Sequence, residues 1–115
     1  MNNELVSIHC MTFNHAKYIC DCLNGLVKQK TNFPFVAYVG DDCSTDGTTE
    51  IIKEYERKYP NIIKGIYHKK NTKAEGNFFD ILKQCKGKYL VFCEGDDYWT
   101  DENKLQKQVD FIKKS

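Results

Sequence analysis

The sequence predicts an α/β protein with a mainly parallel sheet and helices on both of its faces, and three observations carry that prediction. Short apolar runs alternate four times with longer amphipathic runs along the 115 residues, which is the pattern of βαβ units. The short runs are mostly apolar throughout, as expected when a parallel sheet is covered on both faces. Polar or acidic turns follow the first, second and fourth of them, and in open sheets of this kind ligands bind outside the carboxyl ends of the strands.

Leu5 to Met11 reads as the first strand. Asn14 is placed to cap a helix from His15 to about Gln29, in which Ala16, Ile19, Leu23, Leu26 and Val27 recur at helical spacing. Phe33 to Val39 is the second strand, with Pro34 near its start, where a missing N–H is tolerable. A helix from Thr48 to Tyr59 turns Ile51, Ile52 and Tyr55 inward and is ended by Pro60. Ile62 to Tyr67 is a short third strand, and a loop from His68 to Glu75 leads into a helix from about Gly76 to Cys85 with Phe78, Phe79, Ile81 and Leu82 as its apolar residues. Tyr89 to Cys93 is the fourth strand, bounded by Gly87 and Gly95. Asp101 caps a last helix whose core side is Leu105, Val109 and Ile112, with Phe111 beside it.

Composition narrows the function. The net charge is +1, from 17 basic and 16 acidic residues, so no global field points to nucleic acid or an anionic membrane. No apolar run approaches the roughly 20 residues of a membrane span. The N-terminal stretch lacks the charged and apolar regions of a secretory signal, so the six cysteines are expected to be reduced thiols of a cytoplasmic protein rather than a disulfide framework. Neither a C-x-x-C nor a zinc-type Cys/His spacing occurs. One domain is expected, short for an enzyme with two substrate sites.

The acidic stretch carries the chemistry. Glu94, Asp96 and Asp97 fall within four residues, and two carboxylates about 5 Å apart repel by roughly 3 kcal/mol at an effective dielectric of 20. Two readings stay open for it taken singly: Mg²⁺ or Mn²⁺ carrying a phosphorylated ligand, or a solvated turn. The stretch Asp42-x-Ser44-x-Asp46-Gly47 imitates the start of a calcium loop, but Lys53 stands where a bidentate Glu is needed, so calcium is rejected. One of Asp41 and Asp42 is placed to accept an N–H from a nucleobase, with Ser44 and Asp46 capping the next helix. Phe13 can stack on a base. Lys69, Lys70 and Lys73 can neutralise a diphosphate or stand as solvated loop lysines, and Asn71 and Asn77 can bond sugar or phosphate or cap loop and helix. His9, His15 and His68 have no partner at catalytic spacing, and Trp99 is expected to pack under the acidic loop. A receiver domain is disfavoured because its acidic pair follows the first strand, whereas these follow the second and fourth.

Jointly, Val6-Ser7-Ile8 through Thr12-Phe13-Asn14-His15-x-x-Tyr18-Ile19, Asp41-Asp42-x-Ser44-Thr45-Asp46-Gly47-Thr48, and Glu94-Gly95-Asp96-Asp97-Tyr98-Trp99 with Lys104-Leu105-x-x-Gln108 resemble the N-terminal half of family 2 glycosyltransferases. The resemblance implies a Rossmann-like GT-A fold, here truncated, with residues 1–115 as the donor-binding half and the acceptor half absent. It implies that Met11, Phe13, Asn14, Asp42, Lys73, Asn77 and Glu94 bind the nucleotide of a nucleotide-diphospho-sugar, usually a UDP-sugar. Glu94-Gly95-Asp96 occupies the place of the family's D-x-D, with Glu94 for its first Asp, and Asp96 with Asp97 would hold Mg²⁺ or Mn²⁺. The implied reaction is inverting transfer to an acceptor hydroxyl, with a carboxylate general base lying beyond residue 115. A chain lacking that base is expected to bind donor without transferring sugar. A saccharide or lipid-linked saccharide acceptor, a place at the inner face of the membrane for the full-length enzyme and a homodimer complete the expectations. The alternative is a non-catalytic nucleotide-binding or interaction module of the same fold.

Overall fold

The computed structural model describes residues 3–114. Its four strands, β1 (Val6–Thr12), β2 (Phe35–Asp41), β3 (Ile63–Tyr67) and β4 (Tyr89–Glu94), form one parallel sheet in the order β3-β2-β1-β4. Four helices alternate with them: α1 (Ile19–Val27), α2 (Thr48–Lys58), α3 (Glu75–Gln84) and α4 (Lys104–Lys113). The predicted α/β architecture is therefore present, and all eight predicted elements are found.

Alternation along each strand sorts side chains to the two faces. Val6, Ile8 and Cys10 of β1 and Phe35, Ala37 and Val39 of β2 meet Ile19, Leu23 and Leu26 of α1, Ile52 of α2, and Leu105 and Val109 of α4 in the main core. Full burial of each such aliphatic side chain contributes about 1.5–3 kcal/mol relative to exposure. On the opposite face Val36 and Tyr38 pack against Ile81 of α3. Within the main core the sulfurs of Cys10, Cys22 and Cys93 touch, at 3.8 Å from Cys22 to each of the others; all six cysteines are free.

The sheet has two edge strands, β3 and β4, and a groove lies open beside β4. β4 is an edge strand, and Leu90 and Phe92, which it turns away from the main core, are 38% and 55% exposed. A groove of about 660 Å³ runs between this strand and α4. No helix among the described residues is long and apolar enough to cross a membrane.

Three local expectations need correction. Asn14 does not cap α1: its φ of 52° is left-handed, a turn occupies the next residues, and the helix starts at Ile19, whose N–H and that of Tyr18 both reach the His15 carbonyl at 2.8 Å. Ile112 is 45% exposed rather than core, because Leu105 and Val109 already fill the contact with the sheet. Asp101 does not stand at the N-cap of α4: Asn103 does, with no side-chain cap bond of its own, and the start of the helix is held from outside. The Asp101 carboxylate accepts the Asn103 N–H at 2.9 Å, while the buried Gln29 amide oxygen accepts the Leu105 N–H at 3.0 Å.

Close packing of α3 on the sheet depends on Gly40. A Cβ there would lie 2.3 Å from Asn77 Oδ1 and 2.5 Å from Ile81. Gly40→Ala is therefore expected to destabilise the fold by about 1–3 kcal/mol through overpacking, read as a lowered urea midpoint with an unchanged m-value; a midpoint equal to wild type would show that α3 can retreat at no cost.

Candidate functional site

The register places three strand ends level with one another, since Met11 pairs with both Gly40 and Glu94 and Thr12 pairs with Asp41. Strand order reverses beside β1, where chain from β1 and β4 departs, and such a switch point opens a crevice at the carboxyl edge. A cavity of about 390 Å³ lies there, lined by Met11, Thr12, Phe13, His15, Asp42, Asn71, Lys73, Ala74, Asn77 and Glu94. Met11, Phe13, Asp42, Lys73, Asn77 and Glu94 of the predicted site are thus brought together. Asn14, Asp96 and Asp97 are not among the lining residues.

Asp42 is 2% exposed and anchors the loop before α3. Its Oδ1 accepts the Thr72 N–H and hydroxyl, both at 2.7 Å, and its Oδ2 accepts the Ala74 N–H at 3.2 Å. Burial opposes ionisation of this carboxyl, but those donors and nearby His68 outweigh it and hold it below its ordinary value. A carboxylate has about four acceptor positions, so Oδ2 keeps one for a further N–H. Lys73 and Ala74 are held at φ 59° and 65°, a left-handed pair without glycine that costs on the order of 1–3 kcal/mol per residue. The Asp42 bonds to Thr72 and Ala74, together with the Lys73 N–H donated to Asn71 Oδ1 at 2.7 Å, restrain it.

Other expected donors turn out to be engaged within the protein. Asn77, 1% exposed, gives its amide N–H to the Gly40 carbonyl at 3.0 Å and pairs through Oδ1 with His68 Nε2 at 3.0 Å. Asn14 donates its backbone N–H to the Ser44 hydroxyl and accepts the Thr45 N–H on Oδ1, which ties the β1 turn to the β2 turn. Asp41 takes the hydroxyls of Ser44 and Thr49 and knits its own turn. Asp46 accepts the Thr48 N–H at 3.1 Å and the Ala16 N–H at 3.0 Å, so it braces α2 and the β1 turn together, while Ser44 serves Asp41 and Asn14 instead of capping.

The acidic turn stands at the cavity rim. Glu94, Asp96 and Asp97 are exposed; Asp97 accepts the Tyr98 N–H at 2.8 Å, and half-buried Trp99 packs against the main core below the turn. Among the described residues no group of three or more His, Cys, Asp or Glu side chains is arranged to hold a metal. Hard carboxylates in ones and twos suit Mg²⁺ or Mn²⁺, which take most remaining ligands from water and substrate phosphates. His15, to which no role is assigned by spacing, lines the cavity beside this turn.

The chain matches the family model for Glycosyl transferase family 2 over residues 7–115. An uncharacterized protein of Mycobacterium tuberculosis is 43% identical over 107 residues, covering 93% of this chain and 31% of that protein. The poly(ribitol-phosphate) beta-N-acetylglucosaminyltransferase TarS of Staphylococcus aureus is 38% identical over 110 residues, 92% of this chain and 18% of that one. The crystal structure of S. aureus TarS in complex with UDP superposes with a TM-score of 0.82 at 34% identity, over 95% of this chain and 32% of that chain; the complex with UDP-GlcNAc gives the same score. The mannosyltransferase PcManGT from Pyrobaculum calidifontis, in complex with GDP-Man and Mn²⁺, shares the fold with a TM-score of 0.83 at 20% identity, over 96% of this chain and 33% of that one. The architecture is thus the GT-A fold in truncated form, and the chain spans about a third or less of the length of these relatives.

The Asp42 anchor makes the loop pH-sensitive in a defined direction. Because the folded chain lowers this carboxyl from its ordinary value of 3.8, the stabilisation is complete above that value and is lost as pH falls through the lower folded value. Amide-exchange protection of Thr72 and Ala74 is expected to fall selectively under those acid conditions and to be low already at neutral pH in Asp42→Asn. Protection unchanged in that variant would show that the loop is held by something else.

Proposed function

This chain belongs to glycosyl transferase family 2, and from that premise we propose that its cavity binds the nucleoside diphosphate of a sugar-nucleotide donor, UDP-linked as in the TarS complexes. The observation that carries the proposal is the convergence of Met11, Phe13, Asp42, Lys73, Asn77 and Glu94 on one crevice at the switch point. In this reading residues 1–115 are the donor-binding half of the enzyme.

Each side chain then has a task set by its surroundings. Phe13, 43% exposed at the cavity, offers a ring face to the base, with Met11 beside it. Asp42 uses its remaining acceptor position for a base N–H while its other bonds hold the loop that carries Lys73 toward the diphosphate. Asn77, its amide already engaged, shapes the floor, and Asn14 acts by joining the turns under the nucleotide. Glu94 is assigned to the ribose and sugar end. Asp96 and Asp97 would hold Mg²⁺ or Mn²⁺; bound there, the cation neutralises a departing diphosphate.

Transfer in this reading is inverting, to a hydroxyl of a saccharide or lipid-linked saccharide, at the inner face of the membrane. The general base and acceptor site belong to the further length that the relatives carry, so these 115 residues bind donor without turnover. The open β4 edge, with exposed Leu90 and Phe92, supports pairing of two copies in solution.

Calorimetry with UDP, with and without Mn²⁺, tests the proposal. Binding strengthened by Mn²⁺ is expected in the wild type and metal enhancement is expected to vanish in Asp96→Ala. Phe13→Ala should weaken UDP by about 1–3 kcal/mol, the range for base stacking on an aromatic ring, or roughly 5- to 150-fold. No UDP binding in either condition would favour the non-catalytic module.

A further inference from the structure

His15 touches both the strand that ends at the cavity and the acidic turn at its rim. Its Nδ1 lies 2.8 Å from the hydroxyl of Thr12, itself 2% exposed. The ring's other nitrogen, Nε2, faces Asp96 Oδ2 at 4.0 Å. A nitrogen facing a carboxylate favours carrying the proton, which leaves Nδ1 to accept from the Thr12 hydroxyl.

The glycine of the acidic turn is explained by the same pair. Gly95 donates its N–H to the Met11 carbonyl at 2.8 Å. A Cβ at Gly95 would lie 2.4 Å from Thr12 Oγ1 and 2.7 Å from His15 Nδ1. The turn is therefore seated directly on the Thr12–His15 pair, and no side chain fits between them.

Nor can the His15 backbone move readily. Its N–H donates to the hydroxyl of Thr48 at 3.0 Å, and its carbonyl takes the first N–H groups before and at the start of α1. A ring on so fixed a base can orient a mobile carboxylate, and Asp96, with 48% of its side chain exposed, is one.

We propose that His15 is a positioning residue: held by Thr12, it presents an Nε2–H to Asp96 and aims that carboxylate for the divalent cation of the donor complex. The inference rests on the reading of Asp96 as a cation ligand. At 4.0 Å the two atoms stand short of a hydrogen bond, so the exposed Asp96 side chain closes by about 1 Å to make one; that bond fixes a ligating carboxylate's direction, and loss of such a partner typically lowers metal affinity roughly 10- to 100-fold.

The test is Mn²⁺ titration of the protein with UDP present, following free Mn²⁺ by electron paramagnetic resonance, together with nitrogen-15 spectra of the His15 ring in the metal-free wild type. His15→Ala is expected to weaken Mn²⁺ roughly 10- to 100-fold, by more than any loss of UDP affinity measured without metal. His15→Gln, which keeps an N–H donor, should recover most of that loss. The double variant with Asp96→Ala should match Asp96→Ala alone, and the ring spectra should show the Nε2–H tautomer. Wild-type Mn²⁺ affinity in His15→Ala, with affinity lost in Asp96→Ala, overturns the role of His15 and leaves the donor-site reading standing. Mn²⁺ affinity equal in wild type and Asp96→Ala overturns that reading and this inference with it. Equal losses for UDP alone and for Mn²⁺, or an Nδ1–H tautomer, reduce His15 to a packing residue even if a variant folds poorly.

Discussion

Because β1 hydrogen-bonds to β2 on one side and to β4 on the other, with all three running the same way, chain leaving their carboxyl ends has one edge of the sheet to share. The strand order reverses beside β1, and a crevice lies at that carboxyl edge. Everything at the cavity follows from this. Met11 and Phe13 arrive from β1, Asp42 from β2 and Glu94 from β4, without any of them needing to be close in sequence. The turns are then locked to each other: Asn14 to Ser44 and Thr45, Ala16 to Asp46, and His15 to Thr48.

Asp42 shows how one carboxylate can serve both the fold and a ligand. Its neighbours in the loop before α3 adopt backbone conformations that they would not hold unaided, and three donors from Thr72 and Ala74 supply the restraint. A buried charge with that many donors is compensated without a counter-ion. The vacant acceptor position on Oδ2 can therefore face the cavity without the carboxylate itself being unstable there.

Periodicity is a local property, so the strands and helices were readable from residues such as Ile8, Leu23, Ile52 and Ile81, and the strand-end rule joined Phe13, Asp42 and Glu94 before any geometry was known. What stayed hidden depends on partners remote in the chain. Asn14 reads as a cap because its side chain is suited to one, yet its actual bonds are to residues some thirty positions away. Asn77 reads as a ligand, but the approach of α3 to Gly40 claims its amide. Gln29 and His15 carry no spacing signal at all, since Leu105 and Asp96 come near them only through the sheet. Ile112 continues the helical repeat of Leu105 and Val109, but it lines the open groove beside the edge strand rather than the core that those two fill.

That bare edge of β4 has a practical consequence. A strand with unpaired backbone groups, flanked by Leu90, Phe92 and the outer side of α4, is a template onto which any extended peptide can add. Handling of this polypeptide at high concentration will be governed by that rim more than by its near-neutral charge. A lysine introduced at position 90, at the start of the strand and away from the crevice at its other end, acts as a gatekeeper that leaves the candidate site untouched.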